Sequence, residues 1–139
     1  MRFSLFFLVC AFALTSTTTG AEVVVVVSAK SPATTMDKQT VQDIFLGKQT
    51  AFPNGSPAIP LDLPGPSPLQ QMFYTKVIEK KISQAWDYWA YQSVYGKARP
   101  PQAISDPSTM KNLVASNPNA IGYIDSSTLD NSVRVVYAP

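Results

Sequence analysis

The chain has 139 residues, with 11 Lys and Arg against 9 Asp and Glu, no histidine and a single cysteine, for a net charge of +2. Without histidine, and with Cys10 inside the leader described below, Ser-His-Asp and Cys-His catalysis, disulfide staples and the usual Cys/His zinc sites are excluded. Charge is close to balance and no basic block or aromatic-basic stripe stands out, which argues against nucleic acid.

Residues 1–21 read as a secretory signal peptide. Arg2 supplies a short positive region, Phe3 to Leu14 an apolar core, and Thr19-Gly20-Ala21 a small-residue cleavage site. That core is shorter than the roughly 20 apolar residues of a membrane-spanning helix. Cleavage after Ala21 leaves residues 22–139 as one domain, exported and with no membrane span.

Val23 to Val27 are five consecutive valines. An unbroken β-branched run predicts a strand buried on both faces, as in a sheet covered by helices on each side. A polar loop, Ser28 to Thr35, leads to a helix capped by Asp37, with Met36 and Val41 as its hydrophobic staple and Val41, Ile44 and Phe45 inward. Gly47 stops it. Pro53-Asn54-Gly55 is a turn, and Ala58 to Leu61 reads as a strand.

A Pro/Gly-rich turn follows Asp62. The next helix has Ser67 as N-cap, Pro68 at its first position and Gln70 placed to complete a capping box. It buries Leu69, Phe73 and Val77, with Met72 beside them. Its first-turn N–H groups and positive dipole end are a potential anion site at a strand tip; the plainer reading is that Ser67 only caps the helix. Lys76, Lys80 and Lys81 read as a solvated basic end. A further helix, capped at Ser83 and closed by Gly96, carries Trp86, Trp89, Ala90 and Val94 on one side. Its aromatics, including Tyr88, Tyr91 and Tyr95, suggest either a carbohydrate platform or a core face with an amphipathic shoulder, and helical spacing favours the second.

Lys97 to Pro101 is a loop. Asp106 caps a helix with Pro107 at its first position and Met110, Leu113 and Val114 inward. Asn117-Pro118-Asn119 breaks it. Ala120 to Ile124 is a strand in which Gly122 marks close backbone approach, Asp125 to Asp130 a single turn, and Ser132 to Tyr137 the last strand. Helices between strands indicate an α/β layered domain.

Five segments then fall in one order: DIFLGK (Asp43 to Lys48), the PNG turn (Pro53 to Gly55), a strand ending in Asp62 before a Gly/Ser turn and helix, GKARPP (Gly96 to Pro101) and NPNAIGYID (Asn117 to Asp125). Together they resemble the phosphate-type substrate-binding proteins of ABC transporters, within the type 2 periplasmic binding fold. The resemblance implies an α/β fold: a single lobe with a central mixed sheet of four to five strands flanked by helices. It implies a periplasmic, non-catalytic solute-binding module without a cofactor, whose ligand is a small oxyanion such as phosphate. Asp62, Gly65 and Ser67 match the family's turn. The ligand donors would be the hydroxyl and N–H of Ser67 and the N–H of Leu69, with Ser28 contributing from the loop after the first strand.

Two departures accompany the match. Family members have two lobes closing on the anion, and this chain resembles one. Leu63 stands where the family carries Arg, Gln70 where short relatives carry a basic residue, and Pro66 and Pro68 lack N–H donors. Loss of a guanidinium removes bidentate contacts to phosphate oxygens. A homodimer could rebuild the missing half of the cleft. The competing reading is a protein-interaction module that has lost its ligand and works with an envelope transporter or sensor. A carboxylate hydrolase has little support: Asp43, Asp62, Asp87, Asp106 and Asp125 are scattered and mostly explained as caps or surface charges.

Overall fold

The valine run becomes strand β1 (Val23–Ser28), and all six of its residues are buried. The structure is a computed structural model and describes residues 22–139; the predicted signal peptide lies outside the described residues. Four further strands, β2 (Ile59–Asp62), β3 (Gln102–Ala103), β4 (Ala120–Asp125) and β5 (Val133–Tyr137), complete one sheet in the order β3-β2-β4-β1-β5. β1 runs antiparallel to β4 and β5, whereas β2 is parallel to β4 and β3. The expected mixed sheet of four to five strands is therefore present with five.

Four α-helices cover it: α1 (Lys38–Phe45), α2 (Pro68–Phe73), α3 (Ile82–Tyr95) and α4 (Pro107–Ser116). Three caps follow the sequence. Asp37, Ser67 and Asp106 accept from the N–H groups of Thr40, Gln70 and Thr109 at 2.8, 3.2 and 2.8 Å. Each satisfies one of the donors that a helix start leaves unpaired.

Neighbouring residues of β4 show how both sheet faces are filled, since successive side chains point to opposite faces. A Cβ at Gly122 would lie 2.6 Å from Met110 Sδ and 3.0 Å from Val114 Cγ2, so α4 sits directly on the backbone there. Tyr123 faces the other way. Its ring stacks on Phe73 at 4.0 Å, and Phe45 meets Phe73 edge-on at 4.8 Å. An edge-to-face pair such as Phe45–Phe73 adds about 0.5–1.5 kcal/mol beyond its burial. The close approach expected at Gly122 is thus observed, and so is the helix-covered sheet.

Several expectations are corrected. α3 begins after Lys81 rather than at Ser83, because the Gln84 side chain accepts from the Lys81 N–H and fixes the first turn there. Only Ala85 and Trp89 of α3 are buried; Trp86 and Val94 are exposed with Tyr91 and Tyr95, as no other element among the described residues covers that side. Leu113 is likewise exposed on α4, where Met110 and Val114 fill the core. The capping box at Ser67 is only half formed: Gln70 turns inward and donates to Leu63 O at 3.0 Å. β3, absent from the sequence reading, follows directly on the Lys97 to Pro101 loop. It is two residues long and exists only through pairing with β2.

Candidate functional site

At the end of β2, Asp62 is buried and its carboxylate is fully engaged. Oδ1 accepts from the Tyr123 hydroxyl and from the N–H of Leu63 at 2.8 Å, and Oδ2 accepts from the Tyr74 hydroxyl at 2.5 Å. Tyr123 comes from the parallel neighbour β4. Tyr74 comes from a π-helical turn (Tyr74–Ile78) that continues α2 and ends at left-handed Glu79. Burial, and then the adjacent carboxylate, raise the pKa of both tyrosine hydroxyls, so each remains a donor at ordinary pH.

This knot fixes the turn that follows. Leu63, in the place of the family arginine, is buried, and its N–H also approaches the Tyr123 oxygen at 3.2 Å. Gln70 holds the Leu63 carbonyl from below, while its Oε1 has no hydrogen-bond partner and packs against Gly65. Pro64, Gly65 and Pro66 are exposed, Ser67 and Leu69 half-buried.

An open hollow of about 470 Å³ lies beside the turn, lined by Leu63, Ser67, Leu69, Met72, Asp106 and Asp125 among others. It lies where α2 and α4 both begin, beyond the ends of β2 and β4. Its walls are mostly apolar, and among the described residues no Lys or Arg lines it. The carboxylate of Asp106 is occupied in capping α4, bonding Thr109 N and Oγ1, and that of Asp125 accepts from Ser127 N. The N–H and hydroxyl donated by Thr109 hold the Asp106 carboxyl below the usual carboxylate range. A smaller cavity of about 100 Å³ adjoins the other side of the turn, walled by Gly65, Gln70, Tyr74, Trp86, Trp89 and Pro101 among others.

Of the residues the resemblance selects, Asp62, Gly65, Ser67 and Leu69 come together around this turn. Asp62 faces inward to its tyrosines rather than outward to the hollow. Ser28 does not join them. It is fully buried, donates to Ala115 O at 2.9 Å near the far end of α4, and follows Val27, which pairs with Ile121 at the start of β4. From Asp106 to Ala115 is about 13 Å along α4 at the usual helical rise. Antiparallel β1 carries Ser28 to the opposite end of the sheet. Sequence reasoning missed Tyr74 and Tyr123; their signal, a buried carboxylate needing donors, exists only once the strands are paired. Among the described residues no group of three or more His, Cys, Asp or Glu is placed to hold a metal, and no helix is long and apolar enough to cross a membrane.

No protein-family model matches the chain, and no curated protein matches it in sequence. Solved structures match in fold. A phosphate ABC transporter substrate-binding protein from Clostridium perfringens, with bound phosphate, aligns at TM-score 0.67 and 22% identity over 84% of this chain and 44% of its own. An ABC-type phosphate transport receptor from Vibrio cholerae gives TM-score 0.65 and 18% identity over 84% and 45%. PstS from Borrelia burgdorferi gives 0.62 and 11% over 84% and 46%. The chain therefore has the fold of phosphate-type substrate-binding proteins and spans less than half the length of those it matches.

Proposed function

We propose that this chain is an exported, non-catalytic solute-binding module that takes a small oxyanion such as phosphate, weakly, in the hollow at the start of α2. The observation that carries this reading is the hollow's position. It opens beyond the carboxyl ends of two parallel strands, where open α/β sheets receive ligands, and where two helices present their positive ends. The signal peptide at residues 1–21, a periplasmic destination and a single domain over 22–139 belong to the same reading. Weak binding follows from the lining: two carboxylates flank the hollow, and among the described residues no guanidinium or ammonium answers the charge of a guest. Titration calorimetry with phosphate and with sulfate tests it. Heat at millimolar phosphate, reduced in Ser67→Ala, is the expected result; absence of heat from either anion overturns it.

A second reading, a protein-interaction module that has given up its ligand and meets an envelope transporter or sensor, draws support from the uncovered aromatic face of α3. Anion binding in calorimetry, together with no partner recovered from envelope extract, would exclude it.

A further inference from the structure

The outer face of α3 is the largest departure from an ordinary surface among the described residues. Trp86, Tyr91, Val94 and Tyr95 are 64, 60, 70 and 76% exposed, and Ala90 between them is also exposed. With aromatic side chains carrying about 150–250 Å² each, the four large residues present roughly 500 Å² of uncovered side-chain surface. That is at the upper end of what a monomer normally shows on one patch. We propose that this face is a symmetric interface with a second copy of the same chain.

Three features select that occupant. Two such faces together remove about 1,000 Å² from water, which reaches the lower bound of a specific association. The face is also self-complementary along its length. Antiparallel pairing about residue 92 sets Val94 of each copy over Ala90 of the other, a branched side chain against a small one. The same axis sets Asp87, the one carboxylate on α3, across from Lys97, just beyond the helix end. Among the described residues neither takes part in an ion pair. Lastly, Asp87 decides between a protein and a lipid surface. Residues 76–99 hold five Lys and Arg against two acids, a balance suited to anionic headgroups. A carboxylate in the middle of the aromatic row is repelled there, whereas in the two-fold pairing it meets a cation. Trp86 also walls the small cavity beside Asp62 and Gly65, so association covers the edge of that cavity.

Sedimentation velocity of the purified chain across micromolar concentrations reads the inference directly. The expected result is a concentration-dependent shift to twice the monomer mass. Val94→Lys, at an exposed position that leaves the thermal transition unchanged, weakens association by about tenfold or more. Asp87→Lys weakens it as well, and adding Lys97→Asp to Asp87→Lys restores it. A monomer throughout the range overturns the proposal, as does a double variant no better than the single one. Flotation of a monomeric chain with phosphatidylglycerol vesicles, lost in Val94→Lys, would reassign the face to lipid. Calorimetry with phosphate is independent of all these readouts, so the failure of one reading is distinguishable from that of the other.

Discussion

The Tyr123 hydroxyl donates to the Asp62 carboxylate across 61 residues of sequence, and through that bond β4 fixes where the turn after β2 begins. Tyr74 closes the same carboxylate from the opposite side. Asp62 therefore acts on the hollow by positioning the backbone from Leu63 to Ser67. Replacing it with asparagine puts an amide donor against a hydroxyl donor in a buried place, which costs about 2 kcal/mol. Urea denaturation of Asp62→Asn checks this. Tyr123→Phe and Asp62→Asn are expected to be non-additive, since both remove the same bond; full additivity would mean that the bond contributes nothing.

Alkaline titration gives a second handle on the pair. Burial and the neighbouring carboxylate raise the Tyr74 and Tyr123 hydroxyls above their ordinary value of 10. The folded chain thus holds these protons more tightly than the unfolded chain. The stability they contribute is full below about pH 10 and is lost as the pH rises beyond it. Tyrosinate absorbance should rise in two stages, the later coinciding with loss of far-UV circular dichroism. A single ordinary titration with the fold intact would contradict this arrangement.

At acid pH the sign reverses. Hydrogen bonds with Thr40 and Thr109 lower the carboxyls of Asp37 and Asp106, and Lys111, bonded at 2.7 Å, lowers that of Asp130. Each carboxyl contributes stability above the unfolded aspartate value of 3.8 and loses it as pH falls through the lower folded value. Melting temperature should fall as pH drops below about 4. Asp106→Asn should lower it at neutral pH and flatten the acid limb, because the neutral amide has no charge to lose.

Gly122 offers the sharpest packing test. An alanine there drives its methyl into Met110 and Val114, both fully buried, so the two side chains must shift within a packed core. The expected cost is about 1–3 kcal/mol. Val114→Ala in the same chain should recover part of it, giving a favourable coupling in a thermal-melt double-mutant cycle; strict additivity would show that α4 does not rest on this residue.

Ser67→Ala separates capping from binding. Losing the bond to Gln70 N costs about 1 kcal/mol of stability. If the hollow also uses Ser67, phosphate heats fall further than that destabilisation accounts for, with the chain still fully folded at the temperature of measurement.

What could be read from residues alone was what neighbours in sequence decide. The valine run, the Asp37, Ser67 and Asp106 caps and the glycine approach at Gly122 are local signals, and each appears in place. Helical spacing groups Trp86, Trp89, Ala90 and Val94 on one side of α3 but does not say which of them has a neighbour, and of the four only Trp89 is buried. Gln70 has the spacing of a capping box, yet its Nε2 donates inward to the Leu63 carbonyl, which turns its Oε1 away from the Ser67 N–H. Ser28 could be placed only once strand direction was known. A run of valines carries no arrow, and the antiparallel pairing of β1 with β4 moves its last residue away from the turn.

The central place of β1 has a consequence for how the molecule is made. It is the first strand of the described chain and lies between β4 and β5, the last two. A ribosome or a translocation channel delivering the chain from its N-terminus leaves the valine run without partners until Ala120 to Tyr137 have emerged. Closure of the sheet waits for the final segment, and such long-range pairing is slow. The delay keeps the chain threadable, and it makes the nascent valines the segment that a holdase would be expected to grip.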